Sequence, residues 1–179
     1  MSLIQLTFAG IGGQGSILAG TILGSAAVTY GGRYATQTQA FSSELRGGFA
    51  VTWLVFSDEP ILYPQVTQAD ILVAQAQDAI DRFVKTLKKD GILLIDSDAV
   101  QSVPAIQARQ YRVEATSLAR NNFSTPIVAC MIMIGALTKI APVANRQWVE
   151  QAIAAAVPKS KVDMNMKAFA VGFDAVREC

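Results

Sequence analysis

Leu3-Ile4-Gln5-Leu6-Thr7-Phe8-Ala9 runs directly into Gly10-Ile11-Gly12-Gly13-Gln14-Gly15, and the reading of this stretch decides the fold. The first seven residues are mostly apolar, with β-branched and aromatic side chains that suit a buried strand. The glycines that follow tolerate backbone angles closed to other residues. Residues 16–30 then read as a helix, ended by Gly31-Gly32. A strand, a glycine turn and a helix in this order open an α/β fold, and the turn has the Gly-x-Gly-x-x-Gly spacing of a phosphate-binding loop.

The pattern continues outward. Residues 33–38 and 49–56 read as strands, joined by a loop over residues 41–48 and stopped by Ser57-Asp58-Glu59-Pro60. Residues 69–74 form another apolar strand. Residues 78–89 read as an amphipathic helix whose last turn carries Lys85, Lys88 and Lys89 at the negative end of the helix dipole. Gly91-Ile92-Leu93-Leu94-Ile95 and Tyr111-Arg112-Val113 read as short strands. Residues 127–140, 146–156 and 160–175 read as helices. Strands alternating with helices predict one three-layer α/β domain over residues 1–179. Its sheet is mainly parallel and flanked by helices, with a Rossmann-like first unit and a helical C-terminal region. In such sheets ligands bind at the carboxyl ends of the strands.

Composition excludes much chemistry. Hydrophobic residues make up 51% of the 179 residues and charged ones 16%. That balance fits a sheet buried on both faces together with an apolar surface kept for a partner. The formal net charge is +1, with no basic stripe for nucleic acid. No run is long enough to cross a membrane and the N-terminus has no signal-peptide pattern, so a cytoplasmic protein is expected. There is no histidine, which rules out a His-ligated zinc and a histidine-based nucleophilic triad. Cys130 and Cys179 are too few to hold an iron–sulfur cluster. Cys130 lies in an apolar helical run and reads as a small buried hydrophobe.

Two loops carry the candidate binding residues. In the first, Gly12, Gly13, Gln14 and Gly15 could bring a phosphate against the start of a helix. An NAD site would also need an acidic residue about 20 positions on. That stretch is Thr36-Gln37-Thr38-Gln39, and the first carboxylate after the turn is Glu44. The turn therefore suits a phosphate from another ligand, or no ligand. In the second loop, Phe41-Ser42-Ser43-Glu44-Leu45-Arg46-Gly47-Gly48, Arg46 offers a fixed guanidinium fork for phosphate or carboxylate. Gly47 beside it permits close backbone approach. Gly20 and Gly24 form a small-residue face for packing on a sheet. Asp96-Ser97-Asp98 reads as a cap or turn.

These motifs together resemble the gamma subunit, or gamma domain, of 2-oxoacid:ferredoxin oxidoreductases. The resemblance rests on Gly10 to Gly15, Glu44-Leu45-Arg46-Gly47-Gly48 and Ser57-Asp58-Glu59-Pro60-Ile61. It continues through Gly91 to Ile95, Ile134-Gly135-Ala136-Leu137 and Asn165-Met166-Lys167-Ala168-Phe169, and so covers essentially the whole chain. It is greatest to the 2-oxoglutarate and branched-chain 2-oxoacid types. Ser42-Ser43 and Cys130 depart from the family pattern.

The resemblance implies a non-catalytic subunit of an enzyme that decarboxylates a 2-oxoacid and makes an acyl-coenzyme A, with ferredoxin taking the electrons. It implies that partner alpha, beta and ferredoxin-like subunits hold thiamine diphosphate and the iron–sulfur clusters. Gly12 to Gly15, Arg46 and Gly47 would then face coenzyme A or a neighbouring subunit. The apolar surplus suggests a homodimer when partners are missing. A stand-alone nucleotide- or flavin-binding protein and a purely architectural subunit are the alternatives.

Overall fold

The computed structural model describes residues 3–42 and 47–179. The strands are β1 (Ile4–Ile11), β2 (Tyr34–Phe41), β3 (Phe49–Ser57), β4 (Ala69–Ala74), β5 (Leu87–Asp96), β6 (Arg109–Val113) and β7 (Arg177–Glu178). They form one sheet in the order β2-β3-β1-β4-β5-β6-β7. β1, β4, β5 and β6 make a parallel ladder. β3 runs antiparallel to both β1 and β2, and β7 runs antiparallel to β6. Five strands therefore point one way and two the other. The expected three-layer α/β architecture is present, with a mixed edge on each side.

The first unit departs from a simple βαβ crossover in one respect. The chain leaves β1 through α1 (Ser16–Ser25) and a π-turn (Ala26–Tyr30), but β2 does not land beside β1. β3 fills that slot antiparallel, in register from Ile4 opposite Phe56 to Ile11 opposite Phe49. Both neighbours of β1 are thus strands rich in buried apolar residues.

Two other expectations change. The helix expected over 78–89 is α2 (Gln77–Phe83), followed by a 3-10 turn (Val84–Thr86), and β5 begins at Leu87. Leu87 pairs with Ala69, and Lys88 forms an ion pair with Asp70. Of the three lysines assigned to a helix end, Lys88 and Lys89 therefore sit in a strand. Gly91 follows because a Cβ there would lie 2.8 Å from the Asp70 carbonyl oxygen, where the ladder shifts register. A further helix, α3 (Ala115–Phe123), occupies a stretch to which the sequence pattern assigned no element.

The C-terminal helices are α4 (Ala129–Ile140), α5 (Arg146–Ala156) and α6 (Val162–Ala175), each close to its expected span. One face of the sheet carries the larger core, where Leu6, Phe8, Leu54 and Phe56 meet α1 and α3 to α6. The other face carries a smaller core built from Ala9, Val51, Leu72 and Leu93 against Ala79 and Ile80 of α2. α4 is buried from Ala129 through Leu137, which accounts for much of the apolar surplus. α4 and α6 cross closely at two glycines. Gly172 faces the backbone of Ile132, and Gly135 faces the backbone of Phe169, with no room for a Cβ at either.

Candidate functional site

The glycine turn is held from within. Gly13 and Gly15 have φ of 96° and 83°, the left-handed region that favours glycine. Gln14 locks the turn to its surroundings. Its Oε1 accepts from the Ile11 amide at 2.8 Å, and its Nε2 donates to the Gln75 carbonyl oxygen at 2.9 Å. Gln75, at the end of β4, returns the contact by donating to the Gln14 carbonyl oxygen at 3.2 Å, and its Oε1 accepts from the buried Ser16 hydroxyl at 2.9 Å. Gln14 is a positioning residue. Both ends of its side-chain amide are used in tying the loop.

The structure brings the two motif loops together. The Gly12 amide donates to the Gly48 carbonyl oxygen at 2.7 Å, and Gly47 has φ of 80°. Arg46 and Glu44 lie outside the described residues. The amides of Gly13 and Gly15 have no acceptor among the described residues. The donors left for a ligand thus belong to the inner half of the turn, at the N-terminus of α1.

A cleft of about 220 Å³ opens beside Gly13, at the carboxyl ends of β1, β4 and β5. Gly13 and Gln14 form one wall, Gln75 and Asp96 the floor, and Thr116 and Arg120 of α3 the far wall. Pro126, Ile127 and Ala129 close it with the start of α4. The rule for open α/β sheets places a ligand here. Arg120 is exposed and has no ion-pair partner among the described residues.

Asp96 is a buried carboxylate with a structural task. Its Oδ1 accepts from the Ala115 and Asp98 amides, each at 3.1 Å, and its Oδ2 accepts from the Thr116 hydroxyl at 2.7 Å. Asp98 accepts from the Ser117 amide at 2.6 Å and from its hydroxyl at 2.8 Å. The pair therefore caps α3, a helix that starts 19 residues beyond Asp96. Burial pushes the Asp96 carboxyl above its usual range, and the hydrogen bonds from Thr116 and the Asp98 amide oppose that rise.

Cys130 lies against the turn. Its Sγ is 3.2 Å from the Gly15 carbonyl oxygen, and a Cβ at Gly15 would lie 3.1 Å from the Cys130 Cβ. Burial pushes its thiol up to about 12, so it is a packing residue with an inert thiol. Among the described residues there is no cluster of histidine, cysteine and acidic side chains able to hold a metal. No helix among them is long and apolar enough to cross a membrane.

Gln75, Asp96 and Arg120 were not singled out as site residues from the sequence. Ala115 and Ala119, four apart and both buried, are the sequence signal that could have marked the helix that carries Arg120.

The geometry meets a matching set of relatives. Residues 5–175 match the family model of pyruvate ferredoxin/flavodoxin oxidoreductase. The chain belongs to this family. It is 39% identical to the 2-oxoglutarate synthase subunit KorC of Methanocaldococcus jannaschii, over 97% of this chain and 94% of the relative. It is 28% identical to the pyruvate synthase subunit PorC of Methanothermobacter marburgensis, covering 98% of both chains. Its fold superposes with a TM-score of 0.89 on the keto/oxoacid ferredoxin oxidoreductase gamma subunit of Geobacter sulfurreducens, at 35% identity over 98% of this chain and 97% of that one. The gamma-type oxidoreductase subunit implied by the whole-chain resemblance is therefore borne out, and the stand-alone nucleotide- or flavin-binding reading is not.

Proposed function

We propose that this chain is the gamma subunit of a 2-oxoglutarate:ferredoxin oxidoreductase and that its cleft holds a phosphate of coenzyme A. The observation that carries the reading is that Gly13 of the glycine turn and Arg120 of α3 line one cleft at the carboxyl ends of the parallel strands. Backbone amides at a helix start and an arginine fork are a donor set for phosphate oxygens. Gly12 and Gln14 would support this site by shaping the turn, and Arg46 and Gly47 of the second motif loop would add a second cation and a close backbone approach.

A volume of about 220 Å³ is below the roughly 300–1,000 Å³ of a complete ligand pocket. It fits one end of coenzyme A, so the rest of the ligand would lie on another subunit. Alpha, beta and ferredoxin-like subunits would supply thiamine diphosphate and iron–sulfur clusters, and the assembled enzyme would work in the cytoplasm. The preference for 2-oxoglutarate over pyruvate rests on the higher identity to the 2-oxoglutarate relative.

A purely architectural role is the second reading. The internal use of the Gly12 amide and of both ends of the Gln14 side chain favours it. Assembly of the complex with Arg120→Ala and with Arg46→Ala separates the two. A phosphate contact raises KM for coenzyme A about tenfold or more per lost charge-assisted bond, with assembly intact. Poor assembly with an unchanged KM would reject the coenzyme A site. Full turnover by a complex lacking this chain would reject the subunit reading itself.

A further inference from the structure

Gln75 follows the last residue of β4 and is a buried polar side chain, at 2% exposure. Its backbone amide donates to the Ala9 carbonyl oxygen at 2.8 Å, which fixes it beside the end of β1. From there it grips the glycine turn with both ends of its side-chain amide. Nε2 donates to the Gln14 carbonyl oxygen at 3.2 Å, and Oε1 accepts from the Ser16 hydroxyl at 2.9 Å. Its own carbonyl oxygen accepts from Gln14 Nε2 at 2.9 Å. Gly10 leaves room for this meeting. A Cβ there would collide with Gln14 Oε1 and lie 3.0 Å from Gln75 Cβ and 3.1 Å from Ser16 Oγ.

The turn has little of its own to hold it. Gly12, Gly13 and Gly15 have no side chain to anchor, and glycine loses more freedom on ordering than any other residue. The Gly12 amide is tied to Gly48, and the Gln14 amide donates to the Ile11 carbonyl oxygen at 3.1 Å. Those bonds fix the first half of the turn. Gln75 grips the second half, at Gln14 and Ser16, on either side of Gly15. Gly13 and Gln14 are also a wall of the cleft. A ligand that needs the turn in one conformation binds with an affinity scaled by the fraction of molecules already in it. Both ends of the Gln75 amide are engaged, so its route to a ligand runs through the turn.

We infer that Gln75 is the positioning residue of the glycine turn and that its grip sets the affinity for coenzyme A. This rests on the coenzyme A reading of the cleft. The test uses the assembled oxidoreductase, with KM for coenzyme A and kcat measured beside hydrogen exchange of residues 12–16. Gln75→Met keeps the length of the side chain and loses both of its hydrogen bonds. It should raise KM about fivefold or more, change kcat less, and speed exchange in the turn.

Gln75→Glu adds a pH readout. Its neutral carboxyl can accept from Ser16 and donate to Gln14, whereas the carboxylate can only accept. Burial would hold that carboxyl above its usual range. Its KM relative to the unmodified enzyme should therefore fall toward one as pH drops from about 8 to about 6, while the Gln75→Met ratio stays constant. Asp96 and Arg120, the charged residues lining the cleft, are present in every one of these enzymes, so the ratio removes their titration. Ser16→Ala removes one of the two contacts and should raise KM by less; it takes the place of Gln75→Met if that variant does not assemble. An unchanged KM in Gln75→Met, or in Ser16→Ala where it stands in, overturns the proposal, and so does a Gln75→Glu ratio that ignores pH. If Arg120→Ala raises KM in that case, the coenzyme A site stands and only the positioning role falls. If Arg120→Ala also leaves KM unchanged, the coenzyme A reading falls with it.

Discussion

Gly20→Ala and Gly24→Ala should move stability in opposite directions, although both residues lie on one face of α1. In a helix interior, alanine is favoured over glycine by about 1 kcal/mol. At position 24 nothing opposes that gain, since the new Cβ would sit 3.6 Å from Leu54 Cδ2, an ordinary contact. At position 20 the Cβ would lie 2.5 Å from Thr52 Oγ1, 2.7 Å from Gln37 Nε2 and 2.8 Å from Thr52 Cγ2. Thr52 is fully buried and β-branched, so it has no rotamer to retreat into. Overpacking of this kind costs about 1–3 kcal/mol. The Gln37–Thr52 hydrogen bond of 3.0 Å would be strained as well, at about 1 kcal/mol.

After the helix gain is subtracted, Gly20→Ala should destabilise by about 1–3 kcal/mol, while Gly24→Ala stabilises by up to about 1 kcal/mol. The two variants should differ by about 2–4 kcal/mol. For a chain of this size that is a difference of roughly 5–15 °C in Tm. Urea titrations with a common slope would measure it as a difference in midpoint. Equal midpoints, or a more stable Gly20→Ala, would refute the packing of α1 on β3 described above.

Other outcomes follow from the same contacts. Gly172→Ala should destabilise by about 1–3 kcal/mol or more in urea, because the backbone of Ile132 leaves no space for a Cβ. In the native chain, iodoacetamide at mildly alkaline pH should modify the exposed Cys179 and spare the buried Cys130, and equal labelling by mass spectrometry would contradict the raised thiol pKa. Asp96→Asn should cost about 1–3 kcal/mol, since an amide cannot accept all the hydrogen bonds that cap α3. Asp96 also has a pH signature. Its folded pKa is raised, so the unfolded chain loses the proton first, and Asp96's contribution to stability falls as pH rises from about 4 through the folded value. The stability difference between the unmodified chain and Asp96→Asn should therefore shrink as pH rises across that window. A constant difference would show that the carboxyl is not perturbed.

The sequence by itself determined β1, the glycine turn, the start of α1 and the three C-terminal helices. It also excluded a histidine-based triad, a His-ligated zinc and a cysteine-held iron–sulfur cluster within these residues, because the absence of histidine and of a cysteine set is a matter of composition. Each of these is local. Glycine spacing, apolar period and helix caps act over a few residues. Tertiary structure decided the rest. The slot beside β1 goes to β3, a choice made by pairing of buried faces rather than by any signal in β2. β5 takes over at Leu87 because Ala69 and Asp70 of β4 are there to pair with it and with Lys88. α3 depends on Asp96 and Asp98 for its cap, and no local pattern announces a cap that comes from 19 residues upstream. Gln75 reaches the glycine turn across 61 residues. The turn was therefore legible from its own glycines, while the cleft beside it exists only because distant strand ends and one unexpected helix converge on it.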